Sequence, residues 1–479
     1  MAKRHYTLEL TVKGFVHIGN GETLGKKDYF QSNGKIAILD VKKFVANLTP
    51  EQLKDYCEYL ATPPERRDDK DNLQVYLKQH NLLGAAAKSI AYVVESPLAT
   101  ARRGAIQYHD VFKFVKDPYG NPYIPGSSVK GMLRTALLNV LALDNKSLSE
   151  KYDAQLSCSK NRRDQGKAAK SLEKAAFWLE QPDKNDARTL NDIMKYVSVS
   201  DSKPLSTSDL AFVKKFDKFS RADDCSHKLD MGELTNIEGN ELNIYRECLR
   251  PGTKISISVD IDSHIDSYLP FALDKNALEQ IFTRTYEVYK KYFLDYFDAE
   301  EESASTAASN DGICQYIIAS GPFAGKRCRN HAVDGTPFCK SHQQQASEPL
   351  ATATAQELTC YLGGGVDFDS KTVLNALFDN EQKRLPEMAH ILYTQFPTRI
   401  DRSYHNKLAN EIEDAGYFVK DMRASYNKNG KLTKAKEDHR HWRDVELGVA
   451  PHTMKFGLMD KEKLPMGKCS ISIKELGEE

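Results

Sequence analysis

The 479-residue sequence lacks a surplus of charge: 67 lysines and arginines are balanced by 67 aspartates and glutamates. Global charge therefore leaves no electrostatic footprint for nucleic acid, and any such contact has to come from local basic patches. The chain also lacks an apolar run near the roughly 20 residues of a membrane span. Its first residues, "MAKRHYTLELTVKG", have no signal-peptide core and read at once as an alternating strand. A cytoplasmic protein with no membrane partner is expected. Regular cysteine spacing is absent from most of the chain. Cys57, Cys158, Cys225, Cys248, Cys360 and Cys469 are scattered as reduced structural thiols are, and an odd total of nine argues against a disulfide framework. The phosphate loop of nucleotide triphosphatases is missing too, because Lys130 precedes Gly131 where that motif needs glycine before lysine.

What is present is a chain too long for one ordinary domain. "YTLELTVKGFVHIG" alternates as a strand, and "DYFQSNGKIAILD" carries Asn33-Gly34 between two short apolar runs, a strong hairpin signal. Helical periodicity follows, then a second hairpin turning at Pro118 to Asn121, then a long helix from about residue 126. This order predicts an α+β fold with helices on one side of a sheet, over residues 1–142. Residues 143–230 are charged and read as a mainly helical insertion. A second α+β unit, 231–479, is expected from the strands of "LNIYRECLRPGTKISISVDID", the helix "ALEQIFTRTYEVYKKYFLDYF" with aromatics at core spacing, and a closing hairpin in "VAPHTMKFGLMDKEKLPMGKCSISI".

Inside that unit, residues 311–345 stand between two low-complexity stretches poor in bulky apolar residues. Here Cys314, Cys328, Cys339 and His342 are spaced C-x13-C-x10-C-x2-H, a soft donor set suited to tetrahedral zinc, with His331 as an alternative fourth ligand. About thirty residues cannot build a sufficient core, so a structural zinc would supply the folding free energy of a small zinc-finger-like module. Lys326, Arg327, Arg329 and Lys340 make its surface basic. A catalytic zinc is disfavoured: Asp334 is the one carboxylate between the outermost ligands, and no H-x-E pattern occurs there.

Three further stretches point to anions. In "PGSSVKGMLRTALLNVLA", Val129, Met132, Leu133, Ala136, Leu137 and Val140 form a core face, while Lys130 and Arg134 sit a turn apart on another. Pro125 and Gly126 lead into Ser127 or Ser128 as the expected N-cap, and the free N–H groups of that helix start form an anion site that the two basic residues strengthen. "FVHIGNGE" sets His17, Gly19, Asn20 and Gly21 at a strand end. "YLGGGVDFDSKTV" sets Gly363, Gly364 and Gly365 before a helix start with Ser370 and Lys371. Glycines at such places let a backbone approach a phosphate chain closely.

Taken in order, "VHIGNGE", "YIPGSSVKGMLRTAL", "RECLRPGTKISISVDI", the "GGG...SKT" stretch and "LPMG" resemble the RAMP superfamily of CRISPR-associated proteins over nearly the whole chain. Within it the resemblance is to the type III-A (Csm) effector subunit that caps the complex at the 3′ end of the CRISPR RNA. It implies two ferredoxin-like, RRM-related domains and a non-catalytic subunit that binds crRNA, packs against the repeated backbone subunit and the small subunit, and meets target RNA indirectly. By transfer onto matching positions, the RNA contacts are His17, Gly19, Asn20 and Gly21; Gly126, Ser127, Ser128 and Lys130 with Arg134; and Gly363, Gly364 and Gly365 with Lys371. Arg102 and Arg103 are added from charge alone. The competing reading is a related endoribonuclease that cleaves precursor RNA, with His17 as the acid or base because it alone lies beside a glycine loop. The zinc-like insertion is not part of the family pattern.

Overall fold

The first strand shows how alternation becomes architecture. In the computed structural model, β1 (Lys3–Val12) buries Tyr6, Leu8, Leu10 and Val12 and leaves the residues between them more open, as a strand with one face on a core must. The structure describes residues 3–62, 72–100, 108–157, 162–179, 191–219, 239–297, 357–378, 381–395, 425–426, 432–434, 448–459 and 462–475. Residues 1–289 and 358–479 form one compact unit and 290–357 another. The described part of the second is a π-helical turn, Lys290–Leu294, the three residues after it and Glu357.

Along the first unit, β2 (Gly19–Leu24) is followed by a hairpin of β3 (Tyr29–Ser32) and β4 (Lys35–Leu39). Ser32 faces Lys35, and Asn33 and Gly34 both have positive φ (49° and 75°), the two-residue turn expected from the sequence. Next come α1 (Val41–Ala46), α2 (Pro50–Ala61), α3 (Leu73–Gln79), α4 (Leu83–Lys88) and β5 (Ile90–Val94). Thr49 and Gln52 close a capping box at the start of α2, satisfying N–H groups that the helix itself cannot. These short helices share a satellite core of Phe30, Phe44, Tyr56, Tyr76 and Leu77.

β6 (Val111–Phe114), α5 (Gly126–Asp144), α6 (Lys146–Ser157), α7 (Arg162–Phe177), β7 (Val197–Val199) and β8 (Leu210–Phe219) follow. The helical stretch after residue 143 thus gives way to strand before residue 230. β9 (Gly239–Leu249), β10 (Lys254–Asp262), α8 (Lys275–Tyr289) and β11 (Leu358–Tyr361) come next, then the two-residue β12 (Ser425–Tyr426) and β13 (Leu432–Lys434). β14 (Thr453–Met459), β15 (Glu462–Pro465) and β16 (Lys468–Glu475) end the chain as the expected hairpin returning to a sheet.

Two larger sheets carry the fold. One runs β11-β16-β1-β10-β7, so that the first strand lies between a mid-chain strand and the last one. Leu8 faces Ile257 on one side and Ile473 on the other; Leu10 faces Ile255 and Ile471. Their buried face shares a core with α5 (Val129, Leu133, Leu137) and α8 (Leu278, Ile281), each side chain contributing about 1.5–3 kcal/mol by burial. Glu9, Ser256 and Ser258 on the opposite face are exposed. This is a mixed α/β architecture with helices on one sheet face. The second sheet runs β15-β14-β8-β9-β6-β2, antiparallel except where β6 meets β9.

Candidate functional site

Helix α5 buries Val129, Leu133, Ala136, Leu137 and Val140, the face its spacing predicts, with Met132 half-buried at the edge. Its cap differs from the expectation. Pro125 is the N-cap, Gly126, Ser127 and Ser128 lie in the first turn, and no side chain caps the helix from its own segment. The reason is tertiary: the Gly126 N–H donates to Asp201 Oδ1 at 2.7 Å, so an acid brought in by a distant segment takes part of the donor capacity expected for an external anion. A Cβ at Gly126 would stand 2.3 Å from the Val199 carbonyl oxygen and 2.6 Å from that of Ser200. The glycine is there for that close approach.

The two glycine-rich strand ends meet. The Gly364 N–H donates to the His17 carbonyl at 2.6 Å. Gly363 has φ +86°, and a Cβ there would lie 2.2 Å from the same oxygen, so only glycine allows the contact. Lys371 Nζ donates to the Gly363 carbonyl, holding the loop to the short helical turn after it. Between this loop, the start of α5 and α8 opens a cleft of about 420 Å³, lined by Gly19, Ser127, Ser128, Gly363, Gly364 and Lys371 together with Gly131, Met132, Thr135, Thr285 and Tyr286. Six of the sequence-predicted contact residues, from three segments far apart in the chain, thus border one opening. Asn20 and Gly21 continue from Gly19 along exposed β2.

His17 does not line the cleft; it packs behind two residues that do, Gly19 and Gly364. It is buried, its Nδ1–H donates to the Glu247 carbonyl at 2.7 Å, and burial pushes its pKa down, favouring the neutral ring. Glu247 is fully buried and binds three groups: Tyr92 OH at 2.5 Å, the Phe114 N–H at 2.8 Å and Lys116 Nζ at 2.6 Å. Losing one member of such an ion pair costs about 3–5 kcal/mol, because the other charge is left without a partner. A second buried carboxyl, Asp367, accepts from Tyr289 OH at 3.0 Å and the Lys455 N–H at 2.6 Å, and burial pushes its pKa up to about 6. Gly365, the last of the three glycines, turns away from the cleft to pack on Arg246. Arg246 and Glu247 open the "RECLRPGTKISISVDI" stretch, which by itself marks neither as a site residue. Their signal is two adjacent charges inside "YRECL", among residues that are otherwise buried.

Lys130 and Arg134 lie elsewhere. Arg134 pairs with Asp192 at 2.7 Å and Glu173 at 3.4 Å, with its guanidinium 4.2 Å from the Phe177 ring centroid. It ties α5 to its neighbours. Lys130, half-buried beside it, has its pKa lowered by burial. Arg102 and Arg103, and the four zinc-ligand candidates Cys314, Cys328, Cys339 and His342, lie outside the described residues. Among the described residues no group of three or more His, Cys, Asp or Glu could hold a metal ion, and no helix is long and apolar enough to cross a membrane.

A family model described as the RAMP superfamily matches residues 9–308. Among curated proteins, the CRISPR system Cms protein Csm5 of Streptococcus thermophilus is 28% identical over 308 residues, covering 63% of this chain and 75% of that protein. The Csm5 of Mycobacterium tuberculosis (strain ATCC 25618 / H37Rv) is 26% identical over 273 residues, covering 54% of this chain and 66% of that protein. Among solved structures, a chain of the cryo-EM structure of a Csm-crRNA-target RNA ternary complex in a type III-A CRISPR-Cas system aligns with TM-score 0.49 at 16% identity, over 98% of this chain and 100% of that one. The crystal structure of T. onnurineus Csm5 aligns with TM-score 0.45 at 15% identity, over 96% and 99%.

Proposed function

The chain belongs to the RAMP superfamily, and from that membership we propose that it is a non-catalytic subunit of a type III-A CRISPR-Cas ribonucleoprotein, working in the cytoplasm. In this reading it binds the 3′ region of the crRNA, caps the filament of backbone subunits, and contributes to crRNA maturation and antiviral defence. Its relatives named Csm5 support that role. Its partners are then crRNA, the neighbouring RAMP backbone subunit and the small subunit, with target RNA reached indirectly. We read the two larger sheets as the cores of two ferredoxin-like RAMP domains. The three cysteines and one histidine of the insertion have the donor chemistry of a structural zinc site, and in this reading they hold one.

The observation that carries the RNA reading is the convergence of Gly19, Ser127, Ser128, Gly363, Gly364 and Lys371 on one cleft. The serine hydroxyls and the lysine ammonium among them are groups that take a phosphodiester chain without reading its sequence, and the glycines let that chain come close. The burial of His17 behind the lining and its bond to the Glu247 carbonyl favour a supporting residue over an acid or base. The test is to express the chain with its genomic neighbours, purify through a tag on it and sequence the RNA that accompanies it. Repeat- and spacer-derived RNA with a uniform 5′ start is expected. Gly131→Phe, which fills the cleft from a position with open space around its Cβ, and Lys371→Ala should deplete it. An absence of RNA from the wild-type preparation overturns the reading.

A further inference from the structure

One face of the six-stranded sheet gathers positive charge that neither the cleft nor the core uses. Arg246 on β9 stands opposite Val213 on β8 and Phe112 on β6. Lys215 and Asp217 follow Val213 at alternate positions on β8, and Lys455 on β14 faces Asp217, so these side chains share one side of the sheet. Lys215 and Lys455 both reach Asp217 Oδ1, at 3.3 and 3.2 Å. That leaves Arg246. Its guanidinium is half-buried, lies 5.8 Å from the centroid of the Phe112 ring, and among the described residues pairs with no carboxylate. Gly365, with φ +79°, packs so closely that a Cβ there would lie 3.3 Å from the guanidinium carbon. Against Arg246, Lys215 and Lys455 the face sets two carboxyls, Asp217 and the buried Asp367, so positive charge stays in excess even with both ionised. The opposite charge nearest to Arg246, Asp217, is already shared by two lysines, and taking a guanidinium partly from water beside a shared counter-ion costs free energy that the free protein recovers only in part.

We propose that this sheet face, centred on Arg246 and flanked by Lys215 and Lys455, is a binding site for a phosphate of single-stranded RNA, separate from the cleft and on the far side of the same glycine loop. The planar guanidinium can donate two parallel N–H bonds to one phosphate, which a lysine cannot. Phe112, 43% exposed beside it, offers a ring on which the neighbouring base stacks, and this favours RNA over a free anion. The inference rests on the RNA-binding reading above.

The test uses the full chain and a labelled single-stranded RNA of mixed sequence, with binding followed by fluorescence anisotropy over a range of salt concentrations. Arg246→Met should weaken binding about tenfold and lower the slope of log K against log salt by about one, with Arg246→Lys recovering part of the loss. Phe112→Ala should weaken binding about fivefold or more without changing the slope. Because desolvation of the charge outweighs its attraction to the shared Asp217, Arg246→Met should keep or raise the thermal midpoint, whereas a merely structural arginine would lower it. Should Arg246→Met not fold, the surface variant Phe112→Ala decides. Unchanged affinity and slope in these variants, with binding still lost in Gly131→Phe, overturns this site and leaves the cleft reading standing. A wild-type chain that binds no RNA overturns both. Inorganic phosphate that raises the midpoint of wild type but not of Arg246→Met, with RNA affinity equal in the two, makes the face a free-anion site and overturns its assignment to RNA.

Discussion

Single residues around the glycine loop are set by what covers them. His17 reads in sequence as a polar residue beside a flexible loop, and in the fold that loop's partner, Gly363 to Gly365, closes over it. No local pattern could announce this, since the cover comes from the other end of the chain. Asp367 makes the same point with a measurable consequence. Its ordinary value of 3.8 is pushed to about 6, chiefly by burial and against the help of the Lys455 N–H. The folded chain therefore holds a proton that the unfolded chain has released, and stability falls as pH rises from about 4 through 6. A change from 3.8 to about 6 corresponds to roughly 3 kcal/mol. Asp367→Asn, which carries no charge at any of these pH values, should gain on wild type by up to that amount between pH 4 and 7.5. Urea denaturation of both proteins at the two pH values measures it, and a gap independent of pH would show that Asp367 titrates like an exposed carboxylate.

At the scale of elements, α5 and the glycine loop separate what a pattern can show from what it cannot. The apolar face of α5 is legible because the helical period fixes which side chains point the same way. Its N-terminus is not, because the acid serving Gly126 arrives from residue 201. Glycine identity is equally mute. Gly131 sits inside the helix with nothing within 4 Å of a Cβ, whereas Gly363 has positive φ and a carbonyl where a Cβ would go. Gly131→Ala should therefore stabilise by up to about 1 kcal/mol and raise the thermal midpoint. Gly363→Ala should lower it, and should weaken RNA binding as the loop leaves His17. Calorimetry on the pair checks both signs, and a lower midpoint for Gly131→Ala would mean that the helix needs a kink at that point.

For the molecule as a whole, the sheet that joins β1 to β10 and β16 makes the two ends of the chain and its middle one cooperative structure. The insertion raises a separate question of stability. If Cys314, Cys328, Cys339 and His342 hold zinc, metal analysis of the purified protein should give one zinc per chain, and Cys328→Ser with Cys339→Ser should remove it. RNA binding by the main unit should persist, because the cleft residues all lie in 1–289 and 358–479. A metal-free wild-type protein would refute the site. The sequence by itself determined the strands and helices with strong periodicity, the Asn33-Gly34 turn, the core face of α5 and the family, since each is written in neighbouring residues or in motifs kept in order. Only the tertiary structure decided that three glycine- and serine-rich segments border one cleft, that Arg134 is tied to Asp192, that His17 is buried behind the lining, and that Arg246, among the described residues, has no carboxylate of its own. Those facts depend on which distant backbone and side chains come within a few ångströms of each other, and no local pattern records that.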